Sequence, residues 1–211
     1  MSLARLNEPA PDFDAVSTHG RIKLADFQGK WVVLFSHPAD FTPVCSTEFG
    51  GFASRSKEFE ARNTQLIGLS VDGVQAHLAW TSDIERIFGY KVTFPVIADL
   101  DMKVSNAYGM IHPGANSTAT VRTVFIIDDK GILRAMVYYP MNVGRNIDEI
   151  LRVVDALQTA DKHGVSTPAD WKPGEPVVVA PPATASAIES KEDAENQGLE
   201  YKSWYLRMKQ L

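Results

Sequence analysis

Cys45 is the one cysteine in the chain. It lies in the run His37-Pro38-Ala39-Asp40-Phe41-Thr42-Pro43-Val44-Cys45-Ser46-Thr47-Glu48-Phe49, directly after the apolar stretch Trp31-Val32-Val33-Leu34-Phe35 and Ser36. A buried strand that feeds a short loop and then a helix places the thiol in the first helical turn. Unpaired backbone N–H groups and the helix dipole favour an anion there. A thiolate is such an anion, and it is the reactive form of cysteine. A lone cysteine is otherwise a small buried apolar residue, so its surroundings decide. A strand-to-helix loop is where a rigid scaffold displays chemistry. Thr42, three residues earlier, can turn its hydroxyl back toward the thiol and orient a small oxygen-containing substrate. Pro38 can shield the sulfur from bulk water and so strengthen electrostatics around it. No second cysteine follows Cys45, since the next residues are Ser46, Thr47 and Glu48. Exchange between two thiols of this chain is therefore out.

Composition narrows the classes. With 211 residues and 45% apolar content, the chain can bury a full core as one domain plus an appendage. The formal charge of −5, with both signs interspersed, does not suggest nucleic acid as a partner. No apolar run approaches the roughly 18 residues of a membrane span. The first residues, Met1 to Pro9, lack the apolar core of a signal peptide. A single cysteine with no such signal points to a reducing, cytoplasmic location. It also argues against a metal–thiolate cluster. No metal and no cofactor is expected.

The elements that must position the thiol alternate. Trp31–Ser36, Gln65–Val71, Pro95–Ala98 and Val121–Ile127 read as strands. Asp128-Asp129-Lys130-Gly131 is a turn signal before a fifth strand, Ile132–Tyr139, in a hairpin. Pro43 suits the first position of a helix over Pro43–Arg62. Gly73–Phe88 is a second helix, and Asn146–Ala160 a third with Ile147, Ile150, Leu151, Val154 and Leu157 on one face. This order predicts an α/β, thioredoxin-like sandwich with a central mixed sheet. Composition shifts after residue 164. Five of the twelve prolines lie between Thr167 and Pro182, so that stretch should run extended. A short helix should follow, with Ser186 and Glu189 as its capping box and Gly198 as its stop. The expected organisation is a domain over 1–163 and an extended C-terminal arm over 164–211. The arm has no core of its own and must dock on its own domain or on a neighbouring subunit.

The run Pro38, Thr42, Cys45 resembles the peroxiredoxin signature of proline, three residues, threonine, two residues, cysteine. Ser70–Trp80, Phe94–Asp99 and Thr120–Asp128 are similar to three further blocks of that family, and the arm resembles the C-terminal extension of its one-cysteine subfamily. The resemblance implies a thiol-dependent peroxidase that reduces hydrogen peroxide and small organic hydroperoxides. The Cys45 thiolate attacks one peroxide oxygen, and the sulfur becomes a sulfenic acid. Arg122 is implied across the site, holding the thiolate by opposite charge and polarising the peroxide. Glu48 would orient that arginine, or be a solvated acid of the first helical turn. Arg145 matches a second arginine of the extended subfamily, or is a loop charge ahead of a helix. His37 matches a histidine of this subgroup that hydrogen-bonds near the peroxide or thiol, or is a structural loop histidine. Phe41 and Val44 should wall a small pocket. His77 and Trp80 read as packing.

Two departures bear on the activity. Some relatives carry cysteines near the end of the arm, where this chain has Ser203-Trp204-Tyr205-Leu206-Arg207. Resolution of the sulfenic acid then falls to an external thiol or other reductant. The lipase-like serine segment of some members is replaced by Asp26-Phe27-Gln28-Gly29-Lys30-Trp31, with Ala25 where a histidine would stand, so a phospholipase activity is not supported. The resemblance further implies a homodimer, built on into a decamer or dodecamer through a C-terminal dimerisation arm. A chaperone-like assembly without redox chemistry, or a peroxide sensor that passes its oxidation to a partner, are the competing classes.

Overall fold

A computed structural model of the protein describes residues 4–211. The chain divides into two compact units after Ile147. The first opens with a short hairpin, β1 (Asp14–Ser17) and β2 (Gly20–Lys23). Next come β3 (Trp31–Ser36), α1 (Pro43–Ser54), α2 (Ser56–Ala61) and β4 (Thr64–Ser70). Then follow α3 (Val74–Phe88), β5 (Val96–Ala98), α4 (Lys103–Ala107), β6 (Arg122–Ile127) and β7 (Leu133–Tyr139). Seven strands form one sheet in the order β2-β1-β5-β4-β3-β6-β7. β3, β4 and β5 run parallel, whereas β6 lies antiparallel to β3 and to β7. This is the mixed α/β sheet that the alternation of elements predicts.

The central strands are apolar along their length because both faces are covered. All six residues of β3 and all six of β6 are buried. One core cluster gathers Val32, Leu34, Ile67, Leu69, Phe125 and Ile127 from them, with Tyr108 and Met110. Phe35 stacks on Phe52 of α1 at 4.0 Å and meets Phe49 edge-on at 5.4 Å, so α1 is clamped to β3 by aromatic contacts.

The helix predicted over Pro43–Arg62 is broken at Arg55, which has φ −105° and ψ 9°. Ser54 donates its hydroxyl back to the Gly51 carbonyl at 2.9 Å, a local bond that competes with the helical ladder. The hairpin β1–β2 and the short α4 carry too few apolar residues to show in the pattern.

The second unit, residues 148–211, holds all but the first residue of α5 (Ile147–His163), then β8 (Val177–Val178), α6 (Lys191–Asn196), β9 (Glu200–Ser203) and β10 (Leu206–Lys209). The three strands form an antiparallel sheet in the order β8-β10-β9. Trp171, Val177 and Val165 pack together with Ala156 of α5, so these arm residues bury against that helix. The cap of α6 is not Ser186. Ser190 caps it by accepting from the Asp193 amide at 3.1 Å, while Glu189 is drawn off to Arg207 at 2.8 Å. Gly198 follows the helix with φ 77°, the left-handed stop that glycine adopts without strain.

Candidate active site

β3 ends at Ser36, and the chain turns through residues 37–42 into α1. Pro43 is the first residue of α1 and Thr42 its N-cap, which leaves Cys45 in the opening turn. The Ser46 amide bonds the Thr42 carbonyl at 3.0 Å. The amides before it are too early in the helix for a carbonyl four residues back. The Thr42 hydroxyl donates to the Ala39 carbonyl at 2.8 Å. Its proton is thereby engaged within the loop, and its lone pairs are left to accept. Pro38 is buried.

Pairing of β3 with β6 brings the second half of the site alongside. The Ser36 hydroxyl meets the Val121 carbonyl at 2.6 Å and the Thr123 hydroxyl at 2.7 Å, which ties the end of one strand to the start of the other. Arg122, first residue of β6, therefore faces the opening of α1. One of its terminal nitrogens stands 3.2 Å from Cys45 Sγ and 2.7 Å from Glu48 Oε2. Its remaining donors are held by the Met141 carbonyl at 3.0 and 2.7 Å. The guanidinium is thus clamped on three sides and presented to the sulfur.

Glu48 lies one helical turn after Cys45, on the same face of α1. It is no solvated surface acid, being 3% exposed. Arg145 is no loop charge either. Its backbone amide, Nε and one terminal nitrogen donate to the two Glu48 oxygens at 2.9, 2.9 and 2.7 Å. Its other terminal nitrogen bonds the Ser36 and Thr123 carbonyls, both at 2.8 Å. Burial pushes the Glu48 carboxyl toward its neutral form, but the Arg145 charge and hydrogen bonds, joined by Arg122, outweigh it and hold its pKa below the ordinary value. Arg145, Glu48, Arg122 and Cys45 so form one buried chain of contacts. Two guanidiniums and one carboxylate leave a surplus of one positive charge, which a thiolate at Cys45 would cancel.

His37 is fully buried and lies edge-on to Phe49 at 4.8 Å, with Trp80 at 4.9 Å. Its Nε2 is 2.8 Å from Asp40 Oδ1, and its Nδ1 has no hydrogen-bond partner among the described residues. Burial first, against the pull of Asp40, lowers its pKa below the ordinary histidine value. Val44 packs against the loop that delivers Arg145, since a side chain added at Gly144 would sit 3.4 Å from its Cγ1. Phe41 stands apart. It is 59% exposed, on left-handed backbone with φ 54°, and takes no part in the buried cluster. Cys45 itself is completely buried, so a substrate must enter past the residues that cover it.

Sequence reasoning passed over Asp40 and the backbone acceptors of Ser36, Thr123 and Met141. Asp40 had one visible signal, its place three residues after His37. His77, read as packing, bonds Asp40 as well, with Nδ1 2.7 Å from Oδ2. The potential ligand atoms of His37, Asp40 and His77 lie within 4.8 Å of one another. Their nitrogens and oxygens already meet at hydrogen-bond distance, the geometry of a proton-linked relay.

A thioredoxin-like mixed sheet that offers one thiol to a buried arginine defines a thiol oxidoreductase. The comparisons with known proteins make that specific. Residues 6–136 match the AhpC/TSA family, and residues 156–193 match the C-terminal domain of 1-Cys peroxiredoxin. A peroxiredoxin of Aquifex aeolicus is 54% identical, the match covering 100% of this chain and 99% of that one. A solved structure of yeast mitochondrial 1-Cys peroxiredoxin, concerned with thiol resolution via glutathione/thioredoxin systems, is 42% identical. It superimposes with a TM-score of 0.88 over 99% of this chain and 100% of the other. A serine-for-cysteine mutant of the Peroxiredoxin 6 of Arenicola marina is 38% identical, with a TM-score of 0.87 over 98% and 97% of the two chains. The chain belongs to the AhpC/TSA family as a one-cysteine peroxiredoxin, a thiol-dependent peroxidase.

Proposed function

We propose that Cys45 is the nucleophile of this peroxidase and that hydrogen peroxide and small organic hydroperoxides are its substrates. The contact that carries the reading is Arg122 at 3.2 Å from the sulfur. The thiolate attacks one peroxide oxygen, the S–O bond forms as the O–O bond breaks, and the distal oxygen leaves as water or alcohol once protonated. Sulfur is oxidised to sulfenic acid and the peroxide is reduced. Arg122 stabilises the thiolate before attack and the charge that shifts onto the leaving oxygen during it. Thr42, with its proton engaged at Ala39, accepts a hydrogen bond from the peroxide O–H and so orients it, while Pro38 and Val44 keep water away. Glu48 and Arg145 act through Arg122 by fixing where it stands. His37, with a free Nδ1, accepts a hydrogen bond from an O–H of substrate or sulfenic acid.

With no second cysteine, the sulfenic acid condenses with an external thiol, releasing water, and a second thiol then frees Cys45. Resolution of the yeast relative by glutathione/thioredoxin systems supports a thiol reductant here. Residues 164–211 are the dimerisation arm on a domain of residues 1–163, the working form is a homodimer built into a decamer or dodecamer, and the location is cytoplasmic. Cys45→Ser tests the core of the reading. It should abolish turnover of hydrogen peroxide by the purified protein with a thiol reductant, and turnover at the wild-type rate would refute it.

A further inference from the structure

The His37–Asp40–His77 cluster is buried throughout, and peroxide reduction as described uses only the first of the three. Its hydrogen bonds can be counted proton by proton. Both Asp40 oxygens are engaged, Oδ1 with His37 Nε2 at 2.8 Å and Oδ2 with His77 Nδ1 at 2.7 Å. Burial works against the Asp40 charge, but the two imidazoles outweigh it, and the carboxyl stays below its ordinary pKa. An ionised carboxylate only accepts, so each facing nitrogen carries its hydrogen. The other nitrogen of His77 faces the Ile97 carbonyl at 3.1 Å. A carbonyl also only accepts, so the His77 ring is held between two acceptors, one at each nitrogen. His37 has its hydrogen on Nε2, and burial above all disfavours a second one on Nδ1, which has no partner among the described residues.

We propose that Asp40 and His77 are positioning residues of the peroxidase: together they lock His37 in the tautomer whose Nδ1 is a bare acceptor toward the reaction. The surroundings hold the lock rigid. The Asp40 amide bonds Asp72 Oδ2 at 3.0 Å, and Ser70 holds the same Asp72 oxygen at 2.7 Å. The His37 carbonyl is fixed by the Thr120 hydroxyl at 2.7 Å. Trp80, against one face of the His37 ring, donates to Ser46, the residue after Cys45, at 3.2 Å. With the opposite tautomer, Nδ1–H would be a donor, and a peroxide or sulfenic O–H would find no acceptor there. The inference rests on the peroxidase reading of His37 given above.

Nitrogen-15 NMR of the reduced wild-type protein at neutral pH tests it directly. His37 should show a protonated Nε2 with a bare Nδ1. A proton on His37 Nδ1 overturns the proposal. In Asp40→Ala no acceptor faces His37 Nε2, so the His37 tautomer is released. The second-order rate constant for hydrogen peroxide should then fall ten-fold or more, with circular dichroism unchanged. A rate within two-fold of wild type in a variant whose His37 tautomer has changed also overturns it. Should that variant not fold, the wild-type spectrum still decides. Failure of the peroxidase reading shows differently, as turnover by Cys45→Ser, and leaves the histidine spectrum unaffected.

Discussion

Replacing Glu48 with glutamine should be among the most damaging single changes to the fold that leaves side-chain volume unchanged. The carboxylate accepts one bond from Arg122 at 2.7 Å and three from Arg145 at 2.9, 2.9 and 2.7 Å. It is 3% exposed, and Arg145 is 7% exposed. Glutamine keeps one acceptor oxygen but turns an NH2 toward guanidinium donors, so bonds are lost and two buried positive charges face each other. At about 4 Å and an effective dielectric constant near 20, one lost attraction is about 4 kcal/mol. This agrees with the roughly 3–5 kcal/mol found when one partner of a buried ion pair is removed. For a chain of this size about 2–4 °C is lost per kcal/mol, which gives a fall in Tm of roughly 6–20 °C. Urea unfolding followed by circular dichroism, with calorimetry alongside, measures it. A loss below about 1 kcal/mol, the size of an exposed pair, would refute the view that this charge chain is desolvated and holds β3, β6 and α1 together.

Arg122→Met should slow attack on hydrogen peroxide by about 100- to 1,000-fold, the effect of removing one preorganised charge donor, with circular dichroism unchanged. Stopped-flow kinetics reads it, and a wild-type rate would remove Arg122 from its role. Gly50→Ala should destabilise even though alanine favours helix by about 1 kcal/mol. The added methyl would lie 2.8 Å from Phe88 Cγ, and overpacking of that kind costs about 1–3 kcal/mol. Stability should also fall on acidification. His37 and Glu48 both have folded values below their ordinary 6.5 and 4.5, so the unfolded chain binds more protons through those windows. The stability each contributes is complete above its ordinary value and lost as pH falls through the folded one. Thermal unfolding between pH 8 and pH 3 should show a decline that starts below pH 6.5 and steepens below pH 4.5. In Glu48→Gln the lower limb should flatten, and an unchanged slope there would contradict the assignment.

What the chain reveals without coordinates is what depends on near neighbours. A six-residue apolar run, a proline at the first helical position and a thiol two residues later specify strand, loop and helix start through local sterics and backbone hydrogen bonding. They also put Cys45 where an anion is favoured. Glu48, one turn on, shares its face by helical spacing alone. Where local bonds competed with the periodic pattern, as at Ser54 before the break in the helix and at Ser190 in place of Ser186, periodicity misjudged the boundary. Arg122 entered through family resemblance, since nothing local marks a strand's first residue as facing a sulfur 77 positions away. Tertiary structure decided whether each charge is solvated or buried, and with whom it pairs. Glu48 and Arg145 became the dry anchor of Arg122, Phe41 was left outside, and His77 joined Asp40 in a relay. Those outcomes depend on the antiparallel pairing of β6 with β3 and on the packing of α3 beside α1. Both are long-range contacts whose free energy comes from the whole core, so no short window of residues contains them.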